Sequence, residues 1–203
     1  MVIASKPGVL YRSYIEKESE LIKGTRILLR RVKEQDWQII AGWGEQREAL
    51  WGGLQRFQLD HLPLLRAAYE KTGLLSRDSA FLLIETLEGS EVVGFVRYTL
   101  SSFPDADLPQ PEIGFGIPET SARGQGYAGE AVNLLVDYLF SGYPVERIWA
   151  LTEMENEPAR RVLGDNGFQR EGVLRRSTFR DGAWRDLAIY ALLRSEHQKK
   201  KVE

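Results

Sequence analysis

Arg123-Gly124-Gln125-Gly126-Tyr127-Ala128-Gly129 stands between a short apolar segment and a run with helical spacing. Before it lies Pro111-Glu112-Ile113-Gly114-Phe115-Gly116-Ile117-Pro118, bounded by prolines and read as a strand. After it, Ala128, Ala131, Val132, Leu135, Tyr138 and Leu139 recur at helical intervals, which predicts a helix from Tyr127 to Phe140. Strand, glycine-rich loop and helix together turn a helix N-terminus into an anion site. The first amides of a helix have no internal acceptor and carry partial positive charge, and glycine lets a phosphate approach them. Arg123 opposes the helix dipole, which points to an anion between them.

Outward from the loop, the pattern predicts a first strand at Ile27 to Val32 and a helix from Lys33 to Trp51. A second helix is expected from Leu62 to Lys71, ending at Gly73. Ala80 to Thr86 and Glu91 to Leu100 read as a hairpin about Leu87-Glu88-Gly89-Ser90, and Ser101 to Gln110 as a loop. Beyond the central helix come a buried strand at Val145 to Thr152 and a short helix capped by Asn156. Strands at Phe168 to Leu174 and Trp184 to Leu193 follow, turning at Arg180-Asp181-Gly182. The chain divides into an N-terminal extension (1–23), one domain (24–196) and a basic C-terminal tail (197–203) expected to fray.

Composition narrows the function classes. Lys+Arg 27 against Asp+Glu 29 leaves a net charge of -2, so there is no basic field to hold nucleic acid. With Cys 0 and His 2, disulfides, thiol nucleophiles and a structural zinc are not expected, and both histidines are read as surface residues. No apolar run is long enough to span a membrane, and Met1 to Lys6 lacks the features of a signal peptide, so the expected location is cytoplasmic.

Three phosphate-binding patterns compete for the loop. A P-loop needs a lysine and a hydroxyl after the glycines, and neither is present. The dinucleotide pattern GxGxxG is matched by Gly124, Gly126 and Gly129, with Glu153 a plausible ribose partner, which keeps an NAD-binding oxidoreductase as a third reading. Against it, hairpin strands precede the loop, and too little chain follows for a second mononucleotide half.

Arg123-Gly124-Gln125-Gly126-Tyr127-Ala128 resembles the (Q/R)-x-x-G-x-(G/A) pyrophosphate motif of the GNAT N-acetyltransferase superfamily. Glu112 to Phe115 is similar to that family's bulged strand, and Gly129-Glu130-Ala131 to its helix start. Asn156, Gly167-Phe168, Glu171 to Arg175, Asp181-Gly182 and Arg185-Asp186 resemble its RimJ/RimL-type branch, which acetylates ribosomal-protein N-termini and related amines. The resemblance covers roughly Gly24 to Arg194. It implies an α/β (α+β) fold: a mixed, mostly antiparallel central sheet flanked by helices, with a C-terminal β-hairpin.

The same resemblance implies acetyl-CoA as acyl donor, no metal, and a primary amine as acceptor, either a protein N-terminus or a small molecule. Neither nucleic acid nor membrane is an expected partner, and the protein acts alone or as a homodimer. The cofactor-binding set is Phe115, Gly116 and Ile117, with amides toward the thioester carbonyl, then Arg123, Gly124, Gln125, Gly126, Tyr127 and Ala128, then Asn156 and Arg160. A plain N-cap explains Asn156 equally, and a surface position explains Arg160. Glu112 is the candidate base; its alternative is a solvated strand-start carboxylate. A lysine-like amine is neutral in about one molecule per thousand at pH 7, so a base helps. Where the branch carries a serine this chain has Ala159, where other branches carry a tyrosine it has Leu163, and the branch's later glutamate falls at Thr178. Water, Ser177 or Thr178 would then protonate the thiolate, or the protein would be a CoA-binding module without turnover. Acceptor contacts are expected around Trp43, Trp51 and Phe57, with Glu45, Glu48 and Asp60 suited to a cation.

Overall fold

The computed structural model describes residues 22–45, 61–103, 105 and 107–200. The readings placed on 1–21 and on Glu48, Trp51, Phe57 and Asp60 lie outside the described residues. Strands β1 (Ile22–Lys23), β2 (Ile27–Arg31), β3 (Ser79–Thr86), β4 (Val92–Ser101), β5 (Gln110–Gly116), β6 (Arg147–Glu153), β7 (Gln169–Arg180) and β8 (Ala183–Leu193) form one sheet in the order β1-β2-β3-β4-β5-β6-β8-β7. Every neighbouring pair is antiparallel except β5 and β6. The helices are α1 (Trp37–Glu45), α2 (His61–Thr72), α3 (Tyr127–Gly142), α4 (Glu157–Asp165) and α5 (Arg194–Lys200). The mixed, mostly antiparallel sheet with flanking helices is the architecture expected from the sequence. Among the described residues no helix is long and apolar enough to cross a membrane.

Both faces of the sheet are covered. Ala131, Val132, Leu135, Val136, Leu139 and Phe140 form the buried stripe of α3 and pack on Ile27, Leu29, Leu82, Ile84, Val96, Tyr98 and Ile113. On the opposite face a smaller cluster joins Val32, Ile40, Trp43, Leu83 and Phe95. Trp43, expected among exposed aromatics of an acceptor pocket, is 6% exposed and tilts against the Phe95 ring at 6.4 Å. Its side chain is core.

Two other expectations change. β7 runs on past Leu174 to Arg180, because a register shift between Leu174 and Thr178 carries the charged residues out of the ladder. Arg176 takes a positive φ of 49° there, and its amide donates to Asp186 Oδ1 at 2.8 Å. His197 is buried, not on the surface: its Nε2 lies 2.7 Å from Asp137 Oδ1, and its ring 5.2 Å from that of Phe140. α5 is anchored by Arg194, which donates to the carbonyls of Phe140, Tyr143 and Val145 at 2.7, 2.6 and 2.8 Å. A cation on the last carbonyls of α3 complements that helix's dipole.

A buried charge cluster ties the front of the chain to the sheet. Arg30 donates its two Nη groups to Asp36 at 2.7 and 2.9 Å and its Nε to Glu85, while Asp36 accepts the Lys33 amide at 2.6 Å. Burial works against charge at Asp36, yet the Arg30 donors and the Lys33 amide outweigh it and hold the carboxyl below the ordinary range. A depressed folded value means a contribution fully present above the unfolded value of ~3.9 and lost as pH falls through the folded one. Asp36→Asn is expected to cost about 3–5 kcal/mol in urea unfolding, since it strands a buried guanidinium. The variant should also lose part of the wild-type dependence of stability on pH below about 4.

Candidate functional site

β5 and β6 run parallel but share a single register pair, Glu112 with Trp149. Beyond it each strand keeps its outer neighbour: β5 stays on β4 as far as Gly116 opposite Phe95, and β6 stays on β8 as far as Glu153 opposite Leu187. The two strands therefore diverge inside a continuous sheet and leave a gap bounded by 113–116 on one side and 150–153 on the other. Alternate amides and carbonyls of β5 point away from β4 and toward that gap. On β6, the Thr152 hydroxyl and the Trp149 indole N–H are buried without a hydrogen-bond partner among the described residues. Buried polar groups of that kind are ordinarily satisfied.

The glycines of β5 serve its neighbours on one face. A Cβ on Gly114 would stand 2.9 Å from Arg97 Nε, and one on Gly116 would stand 3.0 Å from the Phe95 ring. On that face the space beside these glycines is filled by side chains of β4. A Cβ on Gly94 would meet the Gly116 carbonyl at 2.3 Å, so glycine there lets β4 hold the diverging end of β5.

The loop after β5 reaches α3 through a 3-10 turn, Thr120–Ala122, and the helix N-cap is Gly126 with a left-handed φ of 82°. The Glu130 amide donates to Gly126 O at 3.2 Å, whereas those of Tyr127, Ala128 and Gly129 precede the first helical acceptor. Arg123 to Gly126 are exposed. The Arg123 Nε and Nη2 donate to the carbonyls of Ile117 and Pro118 at 2.9 and 3.2 Å, so the guanidinium is tied to the strand end from which the loop departs.

A second arginine, unmarked by any local pattern, organises the loop from the other side. Arg26 Nη1 donates to Gln125 O at 2.8 Å and its Nε to Glu130 Oε2 at 3.1 Å, and its guanidinium lies over the Tyr127 ring at 5.5 Å. Glu130 Oε1 accepts the amides of Thr25 and Arg26 at 2.7 and 2.9 Å and the Thr25 hydroxyl at 3.1 Å. Burial tends to raise the Glu130 carboxyl, but those donors outweigh it and hold it below the ordinary range. Thr25 and Arg26 thus hold that carboxylate, and the Arg26 and Arg123 guanidiniums both donate to backbone carbonyls around the loop that leads into α3.

Glu112 sits on β5 at the last paired position before the gap, largely covered, with Arg97 Nη2 at 3.6 Å. Asn156 is buried and caps α4, its Oδ1 accepting the Ala159 amide at 3.2 Å. Arg160 donates to the Met154 carbonyl at 2.7 Å, at the turn between β6 and α4. Leu163 is 1% exposed in the main core, so no hydroxyl is available where it stands. Ser177 donates to Leu174 O at 3.1 Å, and Thr178 is buried on the hairpin. Glu153, the ribose partner of the dinucleotide reading, is 2% exposed and gripped by Arg180, Nε to Oε1 at 2.7 Å and Nη2 to Oε2 at 2.5 Å. That carboxylate has no free edge for a sugar. Among the described residues no group of three His, Cys, Asp or Glu side chains is placed to hold a metal.

Comparison with known proteins agrees with this geometry. Residues 26–169 match the family model of the acetyltransferase (GNAT) domain. An uncharacterized N-acetyltransferase, YoaA of Bacillus subtilis, is 26% identical over 86% of this chain and 97% of its own. Another, p20 of Bacillus licheniformis, is 34% identical over 54% of this chain and 60% of its own length. Among solved structures, the spermidine N-acetyltransferase of Vibrio cholerae, in complex with CoA and spermine, superposes with a TM-score of 0.74. That match covers 86% of this chain and 99% of the other at 19% identity, a likeness of fold.

The loop's anchor can be measured without any ligand. Glu130→Ala removes a charged acceptor from four donors of Thr25 and Arg26 and should lower stability by about 2 kcal/mol in chemical unfolding. A change within about 0.5 kcal/mol would show that the anchor contributes nothing net.

Proposed function

Because the chain belongs to the acetyltransferase (GNAT) domain family, we propose that it is an acetyl-CoA-dependent N-acetyltransferase acting on a primary amine. The observation that carries this reading is the parting of β5 from β6 immediately upstream of a left-handed glycine N-cap. A strand gap lined by unpaired backbone groups suits the extended, amide-bearing pantetheine arm. A helix N-terminus with spare amides suits a pyrophosphate.

In this reading the amides of Gly124, Gln125, Gly126, Tyr127 and Ala128 receive the pyrophosphate, with Arg123 and Arg26 supplying positive charge. Arg123 also fixes the loop's departure through its carbonyl contacts. The pantetheine arm lies along β5, and amides of the Phe115, Gly116 and Ile117 segment polarise the thioester carbonyl. Asn156 and Arg160 shape the far wall, holding the β6–α4 turn through their cap and carbonyl contacts. The amine nitrogen attacks the thioester carbon, its proton passes to Glu112 directly or through water, and the C–S bond breaks to release thiolate. A thiol pKa of about 8.5 makes that departure feasible without a strong acid. The acceptor is a protein N-terminus, as the RimJ/RimL-like motifs imply, or a small-molecule amine.

A second reading, a CoA-binding module without turnover, rests on Ala159 and on Leu163, whose position in the core leaves no hydroxyl near the thiolate. Thiol release with an amine panel separates the two: release in excess of spontaneous hydrolysis supports the enzyme, and binding without release supports the module.

Gly126→Val tests the shared part of both readings. It forces a β-branched residue to a φ of 82° with its Cβ 3.0 Å from Arg26 Nη2. Calorimetric titration with acetyl-CoA should show affinity reduced by about 100-fold or more, given the strain and the lost approach. Unchanged affinity would remove the loop from the site.

A further inference from the structure

Resting on the acetyltransferase reading, the remaining question is which amine the site accepts, and the answer turns on Arg97. In the β4–β5 register Arg97 stands opposite Gly114, Thr99 opposite Glu112 and Phe95 opposite Gly116, so these side chains share one face of the sheet. Trp149, in register with Glu112 across the parallel pair, belongs to the same face. The opposite face carries Val96, Tyr98 and Ile113 against α3. Arg97 and Glu112 therefore lie on the side of the sheet away from α3, where the two strands begin to part.

Three observations set Arg97 apart from an ordinary surface arginine. Its side chain is 30% exposed, so most of its length is covered. It lies flat over Gly114, with Nε, Cζ and Cγ at 2.9, 3.2 and 3.3 Å from the position a Cβ would take, so the absent side chain makes room for it. Finally, among the described residues its one ionic neighbour is Glu112 at 3.6 Å, a single contact too long for a hydrogen bond. Arg30 and Arg180, by contrast, each grip a carboxylate with two nitrogens, while Arg185 of β8 is held as loosely as Arg97 but pairs with Glu155, at 3.9 Å, and not with the candidate base. Arg97 keeps its fork of N–H donors beside the candidate base without such a grip.

A cation in that place opposes a polycationic acceptor and favours an amine that brings its own negative charge. The planar guanidinium matches a carboxylate through two parallel N–H bonds. We propose that the acceptor is a primary amine bearing a carboxylate a few bonds from its nitrogen, as in an amino acid or an acidic N-terminal residue. Arg97 holds the carboxylate while Glu112 receives the proton released from nitrogen. The separation of Arg97 from Glu112 sets the distance between the acceptor's two groups, and Arg97 acts as the residue that selects the substrate.

The test compares matched acceptors on the full chain. Thiol release from acetyl-CoA is measured with amino acids, their carboxamides and spermidine, and with peptides whose first residue is aspartate or asparagine. The amino acid arm and the aspartyl-peptide arm distinguish the two sources of the carboxylate. The expected result is kcat/KM at least about tenfold higher for the carboxylate member of the best pair, carried by KM, because an unpaired guanidinium disfavours the analogue lacking the acid. In Arg97→Gln that ratio should fall below about two, and Arg97→Lys should restore part of it. Acetyl-CoA affinity of each variant, measured by calorimetry, reports whether the cofactor side is intact. Equal use of acid and amide, preference for spermidine, or an Arg97→Gln variant that slows both members alike would overturn the proposal while leaving an acetyltransferase. If nothing in the panel is turned over, calorimetric binding of amino acid and carboxamide to the CoA complex decides: tighter binding of the acid in wild type but not in Arg97→Gln supports the proposal, and equal or absent binding overturns it. Failure to bind acetyl-CoA at all would overturn the acetyltransferase reading and this inference with it.

Discussion

The rest of the structure depends on one junction, where parallel strands β5 and β6 meet at Glu112 and Trp149 and then separate. A sheet interior does not ordinarily forgo hydrogen bonds, because unmet backbone groups away from water are costly. Here the cost is limited by what each strand keeps. β5 stays zipped to β4 and β6 to β8, so only the groups facing the gap go without a ladder partner. Gly94 allows β4 to press against the Gly116 carbonyl and follow β5 away from β6. The right-handed twist of neighbouring strands favours such divergence once the tie across the pair is cut short. The opening is thus a property of the sheet's connectivity, and the chain's ligand chemistry is arranged around it.

Long-range ion pairs hold the margins of that opening. Glu130, in the first turn of α3, reaches back to Thr25 and Arg26 before β2, and Arg26 in turn rests on Gln125 and Tyr127. The glycine loop is therefore clamped between the start of the domain and the end of β5. On the far side, the Glu153 carboxylate pulls Arg180 across from the C-terminal hairpin and keeps its guanidinium above the ordinary arginine range. Arg97 beside Glu112 is the looser member of this set, which is why it is the one assigned to a ligand.

The glycine loop, the helix behind it, the hairpin before it and the N-cap at Asn156 were all legible in the sequence, since each is written in a short window by spacing, capping or turn residues. The C-terminal hairpin was readable from its turn residues, whereas the mixed sheet followed from the resemblance to the GNAT family. What escaped were the pairings between distant residues. Nothing near Arg26 announces that it will lie over Tyr127, and nothing near Arg180 announces Glu153. Trp43 and His197 looked like surface groups because their neighbours are polar or glycine-rich, yet tertiary packing buries both. The β7 bulge was hidden for a related reason: a run of arginines reads as the end of a strand until a register shift carries it outward and the ladder resumes. Gly114 and Gly116 do let other groups come close to the backbone of β5, and on one face those groups are Arg97 and Phe95, a cross-strand contact that no local window announces.

The central claim is that one elongated ligand occupies both the strand gap and the N-terminus of α3. Amide hydrogen exchange with and without acetyl-CoA tests it most directly. The account predicts that the ligand slows exchange in two separate segments, at 115–117 on the end of β5 and at 124–129 in the loop, in parallel with its binding isotherm. Saturating acetyl-CoA with neither segment protected, or with protection confined to elements remote from the β5–β6 divergence, would contradict it.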